Sequence, residues 1–244
     1  MITLSRRILL GATASLAALP SRLLAAATPP MDAATETKLK QLLATGPRKD
    51  ANKVRDPHRH PLETLKYFGL RQDMAVLEVA PGGGWWREFL EPLLAEKGKY
   101  VGANLKPGAA PVPPGTMDMV LTFRNIHNWM SGDAAKGIFD VMYASLKPGG
   151  YLGVEEHRAP TSKEQDPKAA NGYVREDYAI KLIESAGFKF VSKAEINANP
   201  KDTKDYPKGV WTLPPNFAEG DKDRAKFAAI GESDRFTMLF QKPA

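Results

Sequence analysis

Several polar side chains in this sequence stand where hydrophobic runs end, and their types define the chemistry on offer. Glu78 lies in Val76-Leu77-Glu78-Val79-Ala80, which passes into Pro81-Gly82-Gly83-Gly84-Trp85-Trp86. A carboxylate there can accept hydrogen bonds from a polar part of a ligand. The glycines let the backbone take positive φ and come close to that ligand. The helix expected next offers unpaired N–H groups in its first turn. A plain strand–helix connection, with glycine needed only for tight packing, explains the same residues equally well. Asn125 and His127 follow the run Met117–Phe123, His157 follows Tyr151–Glu156, and Asn104 follows Tyr100–Ala103. Histidine is the side chain suited to taking up a proton near neutral pH, and an amide both donates and accepts. His127 is the first candidate for a base, His157 the second, and Asn125 a candidate for orienting a reactant. Each also has a purely structural reading: a hydrogen-bonded histidine beside Trp129, or an amide capping its own turn. His58 and His60 have a spacing that suits a metal on a loop. No third ligand is near them in sequence, and His127 and His157 add no helical ligand motif, so no metal site is expected.

The elements that must position these groups read in alternating α/β order. Met74–Ala80 is a strand, Trp85–Glu96 a helix with Phe89, Leu90, Leu93 and Leu94 on its apolar side, and Tyr100–Asn104 a second strand. Such a βαβ unit implies parallel strands with a right-handed crossover. Leu105–Thr116 is too rich in proline and glycine for a helix or a central strand. Met117–Phe123 is the third strand in sequence, Ser131 reads as the N-cap of a helix Gly132–Ser145, and Leu146-Lys147-Pro148-Gly149-Gly150 turns into the strand Tyr151–Glu156. A helix ending at Ala186, a strand Phe188–Ile196, a long flap anchored by aromatics over Asn197–Gly231 and a closing strand Ser233–Gln241 complete the order. In open α/β sheets, ligands sit outside the carboxyl ends of the strands. Glu78, Asn104, Asn125, His127, Glu155 and His157 would gather there, which favours a ligand-binding turn over a plain connection.

Composition bounds the rest. The chain has 244 residues, 43% of them hydrophobic and 25% charged, which suits one globular domain with a real core. It has no cysteine, so disulfides, thiolate nucleophiles and Cys-ligated metals are excluded. Residues 1–27 read as an export signal. Arg6-Arg7 is the basic region, Ile8 to Leu19 the short apolar region, and Ala25-Ala26-Ala27 the small-residue cleavage site. Ser5-Arg6-Arg7-Ile8-Leu9-Leu10 is similar to the twin-arginine export motif of bacteria, so the expected location is periplasmic and the expected partner of the leader is the twin-arginine export machinery. Losing Arg6, Arg7 and Arg22 with the leader takes the formal charge from +6 to +3. That gives nucleic-acid binding little support. No later stretch has the ~18 apolar residues of a membrane span, so no stable membrane insertion is expected. Residues 28–70 form a helical lead-in: a Thr28-Pro29-Pro30 linker, a helix Asp32–Ala44, the polar turn Arg55-Asp56-Pro57-His58-Arg59-His60-Pro61, and a short helix ended by Gly69. Residues 71–244 form the α/β domain.

From about Arg55 onward the sequence resembles the class I S-adenosylmethionine-dependent methyltransferases. More narrowly, it resembles a bacterial family of exported, sequence-predicted methyltransferases of unassigned substrate. The resemblance is carried by Arg59-His60-Pro61-Leu62-Glu63-Thr64-Leu65, by Glu78 with Pro81-Gly82-Gly83-Gly84-Trp85, and by Asp118 through Trp129. It is also carried by Leu146-Lys147-Pro148-Gly149-Gly150, Glu156-His157-Arg158 and Val210-Trp211-Thr212-Leu213-Pro214-Pro215. It implies a Rossmann-like sheet whose last strand, Arg235–Gln241, is antiparallel and inserted between the strands at Tyr151 and Phe188. It also implies S-adenosylmethionine as cofactor. The donor's methionine part would lie over Pro81, Gly82, Gly84 and Trp85, with Glu78 beside its amino group and Asn104 facing the ribose. Asn125, His127 and His157 would lie near the sulfonium and a small-molecule acceptor. Two departures stand out. Asn104 replaces the family's ribose-binding acid. Only Leu105–Thr116 separates two strands between which the family has a helix and a further strand, so the sheet is expected to lack its third strand and the helix before it. A degenerate, non-catalytic binding protein on the same fold is the alternative that this gap suggests.

Overall fold

The structure is a computed structural model and describes residues 30–244. The export leader expected over residues 1–27 lies outside the described residues. The chain begins with α1 (Ala33–Thr45), α2 (Asp50–Lys53), α3 (Asp56–Arg59) and α4 (Pro61–Tyr67), followed by β1 (Ala75–Val79), α5 (Arg87–Leu94) and β2 (Lys99–Ala103). It continues with β3 (Met117–Phe123), α6 (Ile126–Ser131), α7 (Ala135–Ser145), β4 (Leu146–His157), α8 (Glu176–Glu184) and β5 (Lys189–Ala194). A 3-10 turn (Gly209–Thr212), α9 (Arg224–Ile230) and β6 (Arg235–Gln241) close it.

Six strands form one sheet in the order β2-β1-β3-β4-β6-β5. β2, β1, β3 and β4 pair in parallel, while β6 runs antiparallel to both β4 and β5. The sheet therefore ends at β2, without the further strand that the sequence resemblance implies for the family, and its antiparallel strand sits between β4 and β5. β1, β3, β4 and β6 bury both faces, as helix-covered inner strands do, while the edge strands β2 and β5 stay partly exposed. On one side Leu77, Val79, Val120, Leu152 and Val154 pack with Ile138, Phe139 and Met142 of α7 and Ile183 of α8. On the other, Val76, Met119 and Leu121 pack with Leu65 and Phe68 from α4 and with Phe89, Leu90, Leu93 and Leu94 around α5. Neighbouring residues of one strand serve opposite layers because side chains alternate across a strand. The layers are close: a Cβ on Gly153 of β4 would come within 2.8 Å of Leu121 and of Phe68.

The lead-in is bound to this sheet by specific polar contacts. Asp32 caps α1 by accepting from the Thr35 N–H at 2.8 Å, and the Thr35 hydroxyl accepts from the Gln72 N–H at 3.0 Å. The buried Asn197 amide donates to Thr64 on α4 and to Thr237 on β6, at 3.0 and 2.9 Å. At the amino ends of the strands, Asp118 accepts from the Ala75 N–H at 2.8 Å and from Lys147 at 2.6 Å. That contact gives the Asp118 and Leu-Lys-Pro-Gly-Gly motifs a structural role remote from the site.

Local expectations shift in three places. Ser131 is the last residue of α6, not a cap for the next helix. The chain turns helical as soon as β3 ends, with the Trp129 N–H bonded to the Asn125 carbonyl, and Asp133 at φ 54° breaks α6 from α7. Trp85 and Trp86 precede α5, because their rings pack with Phe89 and Phe123 at the turn. β4 begins at Leu146, which pairs with Met117 across an irregularity before the regular ladder starts at Tyr151. No helix among the described residues is long and apolar enough to cross a membrane.

Candidate functional site

A cavity of about 340 Å³ opens at the carboxyl ends of β1 and β3. Its walls come from four parts of the chain: the lead-in with Asn52, Arg55 and Arg59, the glycine turn, the β3–α6 junction, and the flap with Val210, Trp211 and Pro214–Asn216. Glu232 and Ser233, just before β6, and His157 at the end of β4 complete it.

Glu78 faces this cavity from β1 and is 1% exposed. Its carboxylate accepts from the Tyr100 hydroxyl at 2.7 Å. Burial pushes its carboxyl up to about 7, although that hydrogen bond and the Arg87 charge favour the ionised form. Pro81, Gly82 and Gly83 follow along the rim, with Gly82 at φ 55°. A Cβ at Gly82 or Gly83 would meet nothing within 4 Å, so open space lies above the turn. Trp85 lines the cavity, but its indole N–H donates to the Asn52 carbonyl at 2.8 Å. Its ring also already carries two guanidiniums, Arg59 at 4.7 Å and Arg48 at 5.2 Å from the centroid.

His127, in the first turn of α6, is buried with Nδ1 3.0 Å from Glu156 Oε1. Its backbone N–H donates to the other Glu156 oxygen at 3.3 Å. A carboxylate only accepts, so it holds a proton on Nδ1 and leaves Nε2 as the acceptor, the arrangement a general base needs. The His157 ring lies 5.2 Å from that of His127, and the Trp211 ring 5.8 Å away on the flap. His157 Nδ1 pairs with the Ser233 hydroxyl. Burial, then His127, Arg124 and Arg235, hold His157 well below the ordinary histidine value, so it is neutral at pH 7. Ligand atoms of His127, Glu156 and His157 lie within 4.8 Å of one another, within reach of a common ion. His58 and His60 are not part of this group. Both line a different recess, and His60 Nδ1 sits 3.2 Å from the Asn197 side-chain oxygen.

The amide of Asn125 has the Val79, Ala80 and Phe123 carbonyls and the Thr122 hydroxyl within 3.2–3.4 Å. It ties the ends of β1 and β3 together at the cavity edge. Beside it stands a cluster that sequence reading passed over. Glu232 is ringed by Arg55 at 2.7 Å, Arg235 at 2.9 Å, Arg59 at 3.1 Å and Arg124 at 3.7 Å. Glu155 forms ion pairs with the same group, 3.3 Å from Arg235 and 4.0 Å from Arg124. Burial alone would raise the Glu232 pKa, but the guanidiniums, Arg235 first, overcome it and hold the carboxyl far below its ordinary value.

Of the residues expected at a site, Glu78, Pro81, Gly82, Trp85, Asn125, His127 and His157 line one cavity. Gly84, at φ 77°, shapes the turn without lining it, and Asn104 is exposed past β2 and does not line it. Sequence reading missed Arg55, Arg59, Arg124, Glu156 and Glu232. A signal existed for three of them: Arg59 and Glu156 each open one of the quoted motifs and Arg124 sits inside another, yet none was assigned a role.

No protein-family model matches the sequence, and neither does any curated protein. Solved structures do match. An S-adenosylmethionine-dependent methyltransferase from Aquifex aeolicus superposes with a TM-score of 0.54 at 17% identity, covering 85% of this chain and 98% of that one. The cyclase SpnF superposes at 0.50 and 15% identity, covering 86% and 93%. The fold is that of the Rossmann-like methyltransferases. The sheet order agrees, with its antiparallel β6 between β4 and β5 and with β2 left as an edge. That one of these neighbours is named a cyclase is a reminder that the fold does not set the reaction.

The cavity offers a place for one half of the donor that the sequence resemblance implies. The open space over Gly82 and Gly83, with Glu78 beside it, suits an amino-acid moiety. On the nucleoside side, exposed Asn104 is the polar group at the tip of β2, and no strand lies beyond it among the described residues.

Proposed function

We propose that the protein is an S-adenosylmethionine-dependent methyltransferase acting on a small-molecule acceptor. The observation that carries this reading is the cavity itself. It joins the glycine turn and Glu78 to a carboxylate-held histidine at the carboxyl ends of β1 and β3. Glu78 and the turn from Pro81 to Trp85 would hold the methionine part of the donor, and Asn104 would meet the ribose. The bound donor would supply an electrophilic methyl group. His127 takes the acceptor's proton at Nε2 while Glu156 keeps its ring oriented. Asn125 and His157 act by position: the first fixes the turn ends, the second presents a neutral ring beside the base. Trp211 and the flap exclude water above them. The leader's Ser5–Leu10 pattern supports export to the periplasm.

The test is a calorimetric titration of the full chain with S-adenosylmethionine and S-adenosylhomocysteine. Saturable binding that weakens in Glu78→Gln is expected. No heat of binding at millimolar ligand would sink the enzyme. That outcome would favour the second reading, a binding protein of the same fold, which the missing edge strand beyond β2 recommends. Export is checked by fractionating cells that carry Arg6→Lys with Arg7→Lys. The doubly substituted chain should stay in the cytoplasm.

A further inference from the structure

We propose that the arginine-lined wall of the cavity binds the anionic group of the acceptor, a carboxylate or a phosphate, through Arg124, Arg59 and Arg55. All three line the cavity. This inference rests on the reading above for the identity of the ligand as an acceptor, though not for the existence of an anion site.

The charges do not balance. Arg55, Arg59, Arg124 and Arg235 face only Glu232 and Glu155. The other nearby carboxylates are engaged elsewhere. Glu156 holds His127 and the His157 N–H, Asp56 holds Arg48, and Asp234 holds Arg158 and Lys204. Glu78 holds the Tyr100 hydroxyl across the cavity. Arginine does not shed its proton in a protein, so surplus positive charge persists along the cavity wall.

Hydrogen bonding is unbalanced in the same direction. Arg59 is 2% exposed, yet among the described residues its Nη1 has no hydrogen-bond partner, and neither does Nε of Arg124. Unpaired donors on a buried guanidinium carry a large desolvation penalty. An oxyanion relieves both deficits, because a planar guanidinium fork matches carboxylate and phosphate oxygens. Glu232 already shows what this cluster holds. Burial and the neighbouring Arg124 also pull the Arg59 guanidinium below its ordinary value, as a crowd of like charges should. The same field opposes a metal ion at His127, Glu156 and His157, since a cation there would face the arginines that already disfavour a proton on His157. Trp86, Phe123 and Trp211 supply apolar surface in the same cavity for the body of such a ligand.

One competing claimant is the donor's own carboxylate, since Arg59 lies against Trp85 next to the glycine turn. The experiment separates these cases. The full chain is titrated calorimetrically with inorganic phosphate and with acetate, each with and without saturating S-adenosylhomocysteine. Expected is saturable binding of at least one anion, unchanged by S-adenosylhomocysteine and weakened about tenfold in Arg124→Gln. Arg55→Gln, at the rim, is the second variant should Arg124→Gln unfold, and a weakening is expected there too. Absence of saturable heat with both anions overturns the inference, as does binding that both variants leave intact. Displacement of the anion by S-adenosylhomocysteine also overturns it and assigns the arginines to the donor. Anion binding without any S-adenosylhomocysteine binding keeps the anion site and defeats the methyltransferase reading instead. Phosphate against acetate decides which oxyanion the acceptor carries.

Discussion

Two ends of the same strand rim differ in how completely they are built. Around the ends of β3 and β4 the chain closes on itself. The lead-in, the flap and the segment before β6 converge, and a buried network joins Arg55, Arg59, Arg124 and Arg235 to Glu232 and Glu155. Around the end of β2 the rim is bare, with Asn104 exposed and no strand beyond. One fold thus has an over-determined half and an under-determined half. On the proposed reading, the acceptor end is preorganised, and the nucleoside end depends on whatever the donor itself supplies. The contrast also explains why the two buried glutamates have opposite character. Glu232 is charged because cations surround it, whereas Glu78 is pushed toward neutrality because burial outweighs its hydrogen bond from Tyr100.

The largest effect is expected at the closed end. Glu232→Gln removes the carboxylate that four guanidiniums share and should destabilise the fold by about 3–5 kcal/mol at neutral pH, measured by urea unfolding. The pH dependence has a definite sign. A carboxyl held lower in the folded than in the unfolded state contributes in full above its ordinary value of 4.5 and loses that contribution on acidification. Wild type should therefore weaken below that pH more steeply than Glu232→Gln. Equal stability of the two proteins would mean that the cluster is not held together by this residue.

Glu78 should act in the other direction. Its folded pKa is raised from 4.5 to about 7. The protonated form is thus favoured by folding, and stability is fully present below 4.5 and lost as pH rises through about 7. The loss is on the order of 3 kcal/mol. Glu78→Gln should flatten that window in unfolding curves and be the more stable protein at pH 8. If Glu78→Gln keeps the wild-type slope, the carboxyl is solvated and the cavity floor is wetter than its burial implies.

Gly82→Val tests the turn between the two ends. Its φ of 55° costs a β-branched residue about 1–2 kcal/mol, seen as a lower unfolding midpoint. The new side chain would also enter the open space above the turn and should abolish S-adenosylhomocysteine binding. The smallest effect is expected at the open end. Asn104→Ala should leave stability within about 0.5 kcal/mol of wild type, since the residue is exposed. Affinity for S-adenosylhomocysteine should fall by about threefold to tenfold, the value of one polar contact to the ribose. An unchanged affinity would leave the nucleoside unheld and widen the gap between the two ends.

How far the sequence reached follows the same division. The strands were legible because each is a short apolar run bounded by glycine, proline or asparagine, and the missing strand was legible because Leu105–Thr116 has no room for it. The cavity end of the sheet was legible because polar residues closed successive strands. Helix starts were not. Ser131 looked like a cap and is the end of α6, since the Asn125 carbonyl, invisible in a one-dimensional pattern, begins the helix five residues earlier. Arg59 illustrates a further limit. It lies in a stretch whose composition reads as an exposed basic turn, and its neighbours His58 and His60 do face elsewhere. A single turn of α3 points Arg59 inward, onto Trp85 and Glu232.

The sequence by itself determined the alternating order and the glycine turn with its carboxylate, which depend on local composition and on periodicity along the chain. The antiparallel last strand and the absence of one strand were implied by the resemblance of its motifs to a known family. Only the tertiary structure decided that Arg55 and Arg59 meet Glu232 across more than 170 residues of chain, that Glu156 holds the His127 ring, and that Asn104 does not line the cavity. Ion pairing and burial depend on distance in space, and that distance is set by how the lead-in and the segment before β6 pack onto the sheet.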